Sequence, residues 1–135
     1  MDLNKESKIL VVDDFLLVRS MLKKSLAEIG LNNVEEAKNG EEALETLMTA
    51  HTNNEPFSIM FLDWSMPKMD GFGVLKACRE DKRFKDLPIF MVTAESERSK
   101  ITRAAELGVT DYIIKPFIIN IIQEKLVKAL KEQAA

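Results

Sequence analysis

Short apolar runs alternate with amphipathic helical patterns along the whole chain, and this alternation limits the possible folds more than any other feature. The runs ILVV, IMFL and IFMV are almost continuously hydrophobic, as is typical of strands buried on both faces of a parallel sheet. Five strand–helix units in succession predict an α/β domain with helices on both sides of that sheet. The predicted strands are 8–13, 33–37, 58–63, 88–93 and 111–114.

Apolar residues three and four positions apart predict the helices. Gly30 is expected just after the first helix, where a positive φ is common, and Gly108 is expected to stop a fourth that begins near Ser96. The segment 49–56, with two asparagines and a proline, is predicted to be a mobile loop. The expected apolar positions are Phe15, Val18, Leu22, Leu26 and Ile29 in the first helix, Ala43, Leu44, Leu47 and Met48 in the second, Val74, Leu75 and Cys78 in the third, and Ile118, Ile122, Leu126 and Ala129 in a fifth over 117–133.

Size and composition exclude several classes of protein. A chain of 135 residues is expected to form one domain, and its net charge of −3 argues against general nucleic-acid binding. A single cysteine, Cys78, excludes an internal disulfide and fits a reducing compartment. The N-terminus lacks the apolar stretch of a signal peptide, and no run is long enough to span a bilayer. We therefore expect a soluble, cytoplasmic protein without a membrane partner.

Polar residues stand where the predicted strands end. Asp13 and Asp14 follow the first strand, Asp63 closes the third, Thr93 closes the fourth, and Lys115 follows the fifth. Each of them alone is unremarkable, since such residues are common in turns and at helix starts. Together they mark the carboxyl edge of an open α/β sheet, which is where such folds bind ligands.

The charges of this group indicate its chemistry. Two carboxylates about 4 Å apart repel by about 4 kcal/mol at an effective dielectric near 20, so three converging aspartates require a cation. Mg²⁺ is the natural candidate, because it prefers oxygen ligands and shares its shell with phosphate. Lysine suits a phosphoryl oxygen as a compact positive charge. Carboxylates can also accept phosphoryl groups covalently, and Asp63, at the end of the central strand, is best placed to do so.

The motifs that carry these residues resemble the response-regulator receiver family, and within it the single-domain chemotaxis regulators. The matching segments are VVDDF at 11–15, NNVEEA at 32–37, DWSMPKMDG at 63–71, PIFMVTAE at 88–95 and DYIIKPF at 111–117. The resemblance covers nearly the whole chain. It implies a single receiver domain over 1–135 with a flavodoxin-like, doubly wound sheet and five helices. The strand order 2-1-3-4-5 is implied as well, because flavodoxin-like folds of this type have that order.

The resemblance also implies roles for the residues of the cluster. Asp63 resembles the phosphorylated residue, and Lys115 the lysine that contacts the phosphoryl group, with a cis bond to Pro116. Asp14, Asp63 and the backbone carbonyl of Ser65 resemble the direct Mg²⁺ ligands, and Asp13 a ligand that acts through water.

Four residues around the cluster are similar to those that control signalling in the family. Thr93 and Tyr112 resemble the switch pair, in which the hydroxyl moves toward the phosphate and the aromatic ring turns inward. Ser65 and Glu95 occupy positions that tune dephosphorylation, and relatives often carry a larger polar residue where Ser65 stands.

The function implied is that of a response regulator in a two-component system, phosphorylated by a histidine kinase and acting as a monomer. The chain ends about one helix after Pro116, so we expect output through a partner in trans, with the flagellar motor switch in chemotaxis as the leading target. A phosphate sink or adaptor without a motor target is the alternative, and a separate phosphatase is a further candidate partner. Candidate partner contacts are Arg98, Lys100, Arg103 and Lys125.

Two other function classes are less favoured. Aspartate-dependent phosphatases of the haloacid dehalogenase type carry an acid two residues after the nucleophile, where this chain has Ser65, which is no strong general acid. Flavin binding requires an uncharged phosphate loop after the first strand, where Asp13 and Asp14 would repel a phosphate. The sequence therefore favours a signalling module over an enzyme.

Overall fold

Strands and helices alternate strictly in the computed structural model, which describes residues 3–94 and 99–134. All strand pairings are parallel, and the strand order is β2-β1-β3-β4-β5. The predicted fold class and the order implied by the resemblance are both confirmed. The elements are β1 Ile9–Val12, α1 Leu16–Glu28, β2 Val34–Ala37, α2 Gly40–Thr52, β3 Ile59–Asp63, α3 Gly71–Arg79, β4 Ile89–Ala94, α4 Ile101–Glu106, β5 Asp111–Lys115 and α5 Ile119–Ala134.

The central strands are apolar on both faces because each face has its own helical layer. Successive side chains of a strand point to opposite sides, so Leu10 and Met60 enter one core while Ile9 and Phe61 enter the other. The first core lies under α2, α3 and α4, and the second under α1 and α5. This two-sided burial explains the near-continuous hydrophobic runs of β1, β3 and β4.

Local signals set several helix ends. Gly30, with φ of 88°, follows α1, and the Gly30 and Leu31 amides donate to the Ala27 and Leu26 carbonyls, which is the Schellman pattern. The predicted role of Gly30 is thus confirmed. The N-termini of two other helices are capped by side chains, that of α2 by Asn39 and that of α3 by Asp70.

Three apolar residues that we expected on buried helical faces are exposed, and the prediction was wrong for each of them: Phe15, Ile118 and Met48, the last of which lies on α2 with an exposed fraction of 40%. Phe15 and Ile118 precede α1 and α5 rather than belonging to them, and their exposed fractions are 64% and 61%. Phe15 has extended backbone angles, so its side chain does not continue the stripe of Leu22 and Leu26. The prediction was wrong for these two residues because periodicity does not reveal where the first helical turn begins.

The predicted loop over 49–56 is also shorter than expected. Helix α2 continues to Thr52 because Ala50 extends the buried row formed by Ala43 and Leu47. The connection to β3 is confined to 53–58, where Asn54 has φ of 60°. Ser96, expected near the start of the fourth helix, lies outside the described residues. No helix within 3–94 or 99–134 is long and apolar enough to cross a membrane.

Helix α1 offers a matched test of the packing. We expect Leu26→Ala, at a fully buried position, to lower the free energy of unfolding by about 2–5 kcal/mol. Leu17→Ala, on the same helix at a position 72% exposed, should change it by less than about 0.5 kcal/mol. Urea unfolding followed by circular dichroism measures both, and equal losses would contradict the assigned faces of α1.

Candidate functional site

The carboxyl edge of the sheet brings together residues that are far apart in the chain. Asp13 follows β1, Asp63 is the last residue of β3, and Lys115 is the last residue of β5. In the strand order, β4 separates β3 from β5, so the Lys115 side chain must reach across one strand. Its ammonium lies 3.0 Å from Asp13 Oδ2 and 3.2 Å from Asp63 Oδ1. The predicted cluster therefore forms.

Asp13 is fully buried and held on every side. Its amide donates to the Ala37 carbonyl at 3.1 Å, and its own carbonyl accepts from Arg19 Nη1 at 2.6 Å. Of its carboxylate oxygens, Oδ1 accepts from the Phe15 amide at 2.9 Å and Oδ2 from Lys115. Because both oxygens already have partners, Asp13 fits a role through water or neighbouring groups better than direct coordination.

Asp14 differs from Asp13 in one informative way. Its Oδ1 atom is buried and has no hydrogen-bond partner among the described residues, an arrangement that is costly unless some other group satisfies it. One oxygen from each of Asp13, Asp14 and Asp63 can lie within 4.8 Å of the others. Hard carboxylate oxygens at this spacing fit Mg²⁺, and the unsatisfied Asp14 oxygen points to the same conclusion.

Burial and charge shift the ionisation of the cluster. Burial of Asp63, which is only 3% exposed, together with the negative charge of Asp13 raises the pKa of the Asp63 carboxyl to about 7, although Lys115 opposes this. Burial alone would lower the pKa of Lys115, but the charges of Asp63 and Asp13 outweigh it and raise that pKa. One ammonium therefore does not balance the aspartates, and a further cation would relieve Asp63.

The segment after β3 is pressed against the start of α3. The Gly71 amide donates to the Trp64 carbonyl at 2.9 Å, and a Cβ at Gly71 would lie only 2.6 Å from the Asp63 carbonyl oxygen. Only glycine permits this approach. Ser65, the residue after Trp64, is exposed, and its Oγ accepts a hydrogen bond from Lys100 Nζ at 3.5 Å. The structure thus places Ser65 at the rim of the cluster.

Thr93 and Tyr112 lie on one face of the sheet. Tyr112 pairs in register with Met91, and Thr93 pairs with Ile114, so the two side chains are diagonal neighbours on β4 and β5. Thr93 is fully buried, and its hydroxyl lies 3.5 Å from the Ala94 carbonyl, a long hydrogen bond. The Tyr112 ring is half-buried, with Lys125 Nζ 4.6 Å from its centroid.

The remaining sequence predictions have mixed outcomes. The Lys115–Pro116 bond is cis, as the resemblance implies. Glu95 and Arg98 lie outside the described residues. Arg103, proposed as a partner contact, stacks on the Phe72 ring at 3.3 Å, and Lys125 pairs with Asp111 at 3.1 Å.

Sequence reasoning missed Arg19. Its guanidinium joins the Asp13 carbonyl to Glu36 of β2, with Nε 2.9 Å from Glu36 Oε1. A signal was present, since Arg19 lies three residues before Leu22 and within the apolar stripe of α1. A charged residue in a buried stripe usually has a specific partner.

Comparisons with known proteins agree on one family. The protein-family model described as "Response regulator receiver domain" matches residues 9–130 of the chain. The chain is 44% identical over 121 residues to the chemotaxis protein CheY of Pseudomonas aeruginosa, covering 90% of this chain and 94% of that protein. It is also 44% identical over 126 residues to chemotaxis protein CheY-3 of Vibrio cholerae, covering 93% of each.

Solved structures agree with the sequence relatives. The chemotaxis response regulator CheY4 of Vibrio cholerae superposes with a TM-score of 0.75 at 34% identity, covering 93% of this chain and 97% of that one. The receiver domain of NtrX from Brucella abortus gives a TM-score of 0.79 at 25% identity, with 92% and 98% covered.

The raised pKa of Asp63 predicts a pH-dependent effect of Asp63→Asn. Because the pKa of the folded state, about 7, exceeds the usual value near 3.9, the wild type loses stability as pH rises between about 4 and 7. The Tm of Asp63→Asn minus that of the wild type should therefore increase by several degrees as pH rises across that range in EDTA. This difference should level off above about pH 8.

The matched control is Asp81→Asn. Hydrogen bonds from Arg83 lower the pKa of Asp81 to about 2, so its ionisation is complete before pH 5. Its Tm difference from wild type should stay constant between about pH 5 and 8. A difference for Asp63→Asn that is equally flat would contradict the electrostatics described for the cluster.

Proposed function

The chain belongs to the response regulator receiver family, and we propose that it is a phosphorylation-controlled binding module with Asp63 as the phosphoryl acceptor. The single observation that carries this assignment is the buried Asp63 carboxylate, which lies 3.2 Å from Lys115 and is grouped with Asp14, whose Oδ1 has no hydrogen-bond partner within the described part of the chain. A carboxylate in this setting can react with a phosphoryl group and keep the product away from bulk water. We propose that the whole chain acts as one receiver domain.

In the reaction, an Asp63 oxygen attacks phosphorus, the bond to the donor breaks, and the electron pair leaves with the donor. Bound Mg²⁺ would supply positive charge to the phosphoryl oxygens, held by Asp14, Asp63 and the Ser65 carbonyl, with Asp13 acting through water. Lys115 would transfer its contact from Asp63 Oδ1 to a phosphoryl oxygen. Positioning and charge stabilisation of this kind account for most of the catalysis of phosphoryl transfer.

The aspartyl phosphate would then bias a conformational switch. Phosphorylation adds about −1.5 to −2 charge, and it shifts an equilibrium only if two states contact that charge differently. We propose that the Thr93 hydroxyl, whose long contact to Ala94 is easily exchanged, moves to a phosphoryl oxygen. Tyr112, half-buried on the same sheet face, would turn inward and change the surface around α4, β5 and α5.

The lifetime of the phosphorylated state would depend on the rim of the site. Ser65 is small and exposed, so it leaves water a path toward Asp63. Together with Glu95 it is proposed to set the rate of dephosphorylation. Receiver domains are signalling modules, and the small Ser65 at the position of a second acid supports slow self-dephosphorylation over turnover as a phosphatase.

The relatives support a choice of partners. Proteins with 44% identity to this chain are named chemotaxis proteins, which supports a histidine kinase as phosphoryl donor and the flagellar motor switch as target. We propose that the protein acts in the cytoplasm as a monomer, with output in trans. A phosphate sink or adaptor that drains the kinase without contacting the motor is the second candidate, and a dedicated phosphatase is a further partner to test.

Acetyl phosphate tests the acceptor directly. With Mg²⁺, it should transfer one phosphoryl group to the wild type, and omission of Mg²⁺ or the change Asp63→Asn should abolish the transfer. Phos-tag electrophoresis or intact mass measures the product. Asp81→Asn serves as the control, because Asp81 is a partly exposed aspartate already paired with Arg83, and this variant should be labelled normally. Labelling that survives Asp63→Asn would reject Asp63 as the acceptor.

Binding to a motor switch peptide separates the two signalling candidates. If the protein acts on the motor, addition of Mg²⁺ and beryllofluoride should strengthen binding at least tenfold in fluorescence anisotropy, and Asp63→Asn should remove that gain. Equal weak binding with and without beryllofluoride, by a protein that is labelled normally by acetyl phosphate, would favour the phosphate sink.

A further inference from the structure

Arg19 makes a partly buried connection between Asp13, at the end of β1, and Glu36 of the edge strand β2. Its side chain is only 12% exposed, and the guanidinium uses two different edges of its planar group. One edge donates to the Asp13 carbonyl at 2.6 Å, and the other donates to Glu36 Oε1 at 2.9 Å. Lys23 Nζ, on the next turn of α1, lies 3.4 Å from the second oxygen of the same Glu36. Burial raises the pKa of Glu36, but these cations outweigh it and the net pKa is lowered.

The carbonyl that Arg19 holds has a particular position. The parallel ladder of β1 ends with Val12, which pairs with Ala37 and Leu62, so the Asp13 carbonyl lies just beyond the last paired residue. It belongs to the peptide bond between Asp13 and Asp14. Fixing the plane of this peptide fixes the positions of the Asp14 nitrogen and Cα, and so limits the directions in which the Asp14 side chain can leave the backbone.

We propose that Arg19 is a positioning residue for Mg²⁺ binding: it holds the Asp13–Asp14 peptide so that the Asp14 carboxylate stays grouped with those of Asp13 and Asp63. This inference rests on the proposed function, because it assigns a role within the same site. Among the described residues, Arg19 contacts the Asp13 backbone carbonyl and Glu36 but none of the carboxylates of Asp13, Asp14 and Asp63, so it would act on the site through the backbone. Its fork geometry is essential, since a lysine ammonium cannot make both contacts from one rigid plane.

Charge and positioning predict opposite effects of removing Arg19. Loss of a positive charge near three carboxylates would by itself strengthen the binding of a cation. Loss of positioning would weaken it, and changes to groups that orient metal ligands commonly weaken metal binding by about 10–100-fold. The direction of the change therefore distinguishes the two effects.

The test is a MgCl₂ titration at constant ionic strength, followed by the fluorescence of Trp64, the single tryptophan, which is buried directly after Asp63. Arg19→Lys and Arg19→Met should each raise the Kd for Mg²⁺ by about tenfold. Lys23→Met, which removes a cation from the same Glu36 without touching Asp13, should leave the Kd unchanged or slightly lower. An Arg19→Met protein that binds Mg²⁺ as tightly as wild type, or more tightly, would overturn the proposal.

A second pair of variants, matched in charge, tests the proposal without changing Arg19 itself. Glu36→Gln and Glu36→Ala remove the same charge from an edge strand, but only glutamine keeps an oxygen that can accept from Arg19. Positioning predicts that Glu36→Ala binds Mg²⁺ at least threefold more weakly than Glu36→Gln, whereas equal Kd values would contradict it. Circular dichroism and Tm confirm that each variant is folded.

Labelling by acetyl phosphate separates this inference from the proposed function. In Arg19→Lys, the rate should be reduced at low Mg²⁺ and return to within about twofold of wild type at saturating Mg²⁺, because the metal affinity and not the acceptor is altered. A defect that persists at saturation would contradict a role in positioning the metal site. Failure of the wild type itself to bind Mg²⁺ would overturn both proposals, whereas normal wild-type binding with no effect of Arg19 would overturn only this one.

Discussion

Lys115 Nζ lies 3.0 Å from Asp13 and 3.2 Å from Asp63, and these two ion pairs allow an acidic cluster to exist at a buried sheet edge. Without them, two nearly inaccessible carboxylates would face each other in a medium that screens charge poorly. The compensation is incomplete, since the pKa of Asp63 is still raised to about 7. The negative charge that Lys115 leaves uncompensated therefore favours the binding of a further cation. In this way the fold supports the proposed chemistry.

The cluster depends on a stiff scaffold. Strands β1 and β3 lie side by side in the centre of the sheet with both faces covered, so the residues at their ends have little freedom to separate. Close packing of this kind prevents the carboxylates from relaxing away from one another. Gly71 adds a second constraint, because α3 approaches the Asp63 backbone more closely than any side chain would permit. The apolar core and the polar site are therefore parts of one arrangement.

Around this rigid centre, the groups that would change state are more weakly held. The hydrogen bond from the Thr93 hydroxyl to the Ala94 carbonyl is long, and Tyr112 is half-buried beneath Lys125. Asp13, in contrast, has a partner for its amide, its carbonyl and both carboxylate oxygens. A fixed turn at Asp13 beside more weakly held residues suits the proposed module, which would hold a phosphoryl group and report its presence.

The amino-acid sequence by itself determined the α/β class, the parallel sheet and which polar residues end the strands, because alternating burial imposes periods that can be read locally. It also indicated Gly30 as a helix-terminating residue, since a positive φ favours glycine.

Tertiary structure decided what depends on contacts between distant segments. It placed Phe15, Met48 and Ile118 in solvent and extended α2 through Ala50. It also left one Asp14 oxygen without a hydrogen-bond partner among the described residues, while both carboxylate oxygens of Asp13 have one. Arg19 shows the same division, because its charge is visible in the sequence but its bonds to Asp13 and Glu36 exist only once α1, β1 and β2 have packed together.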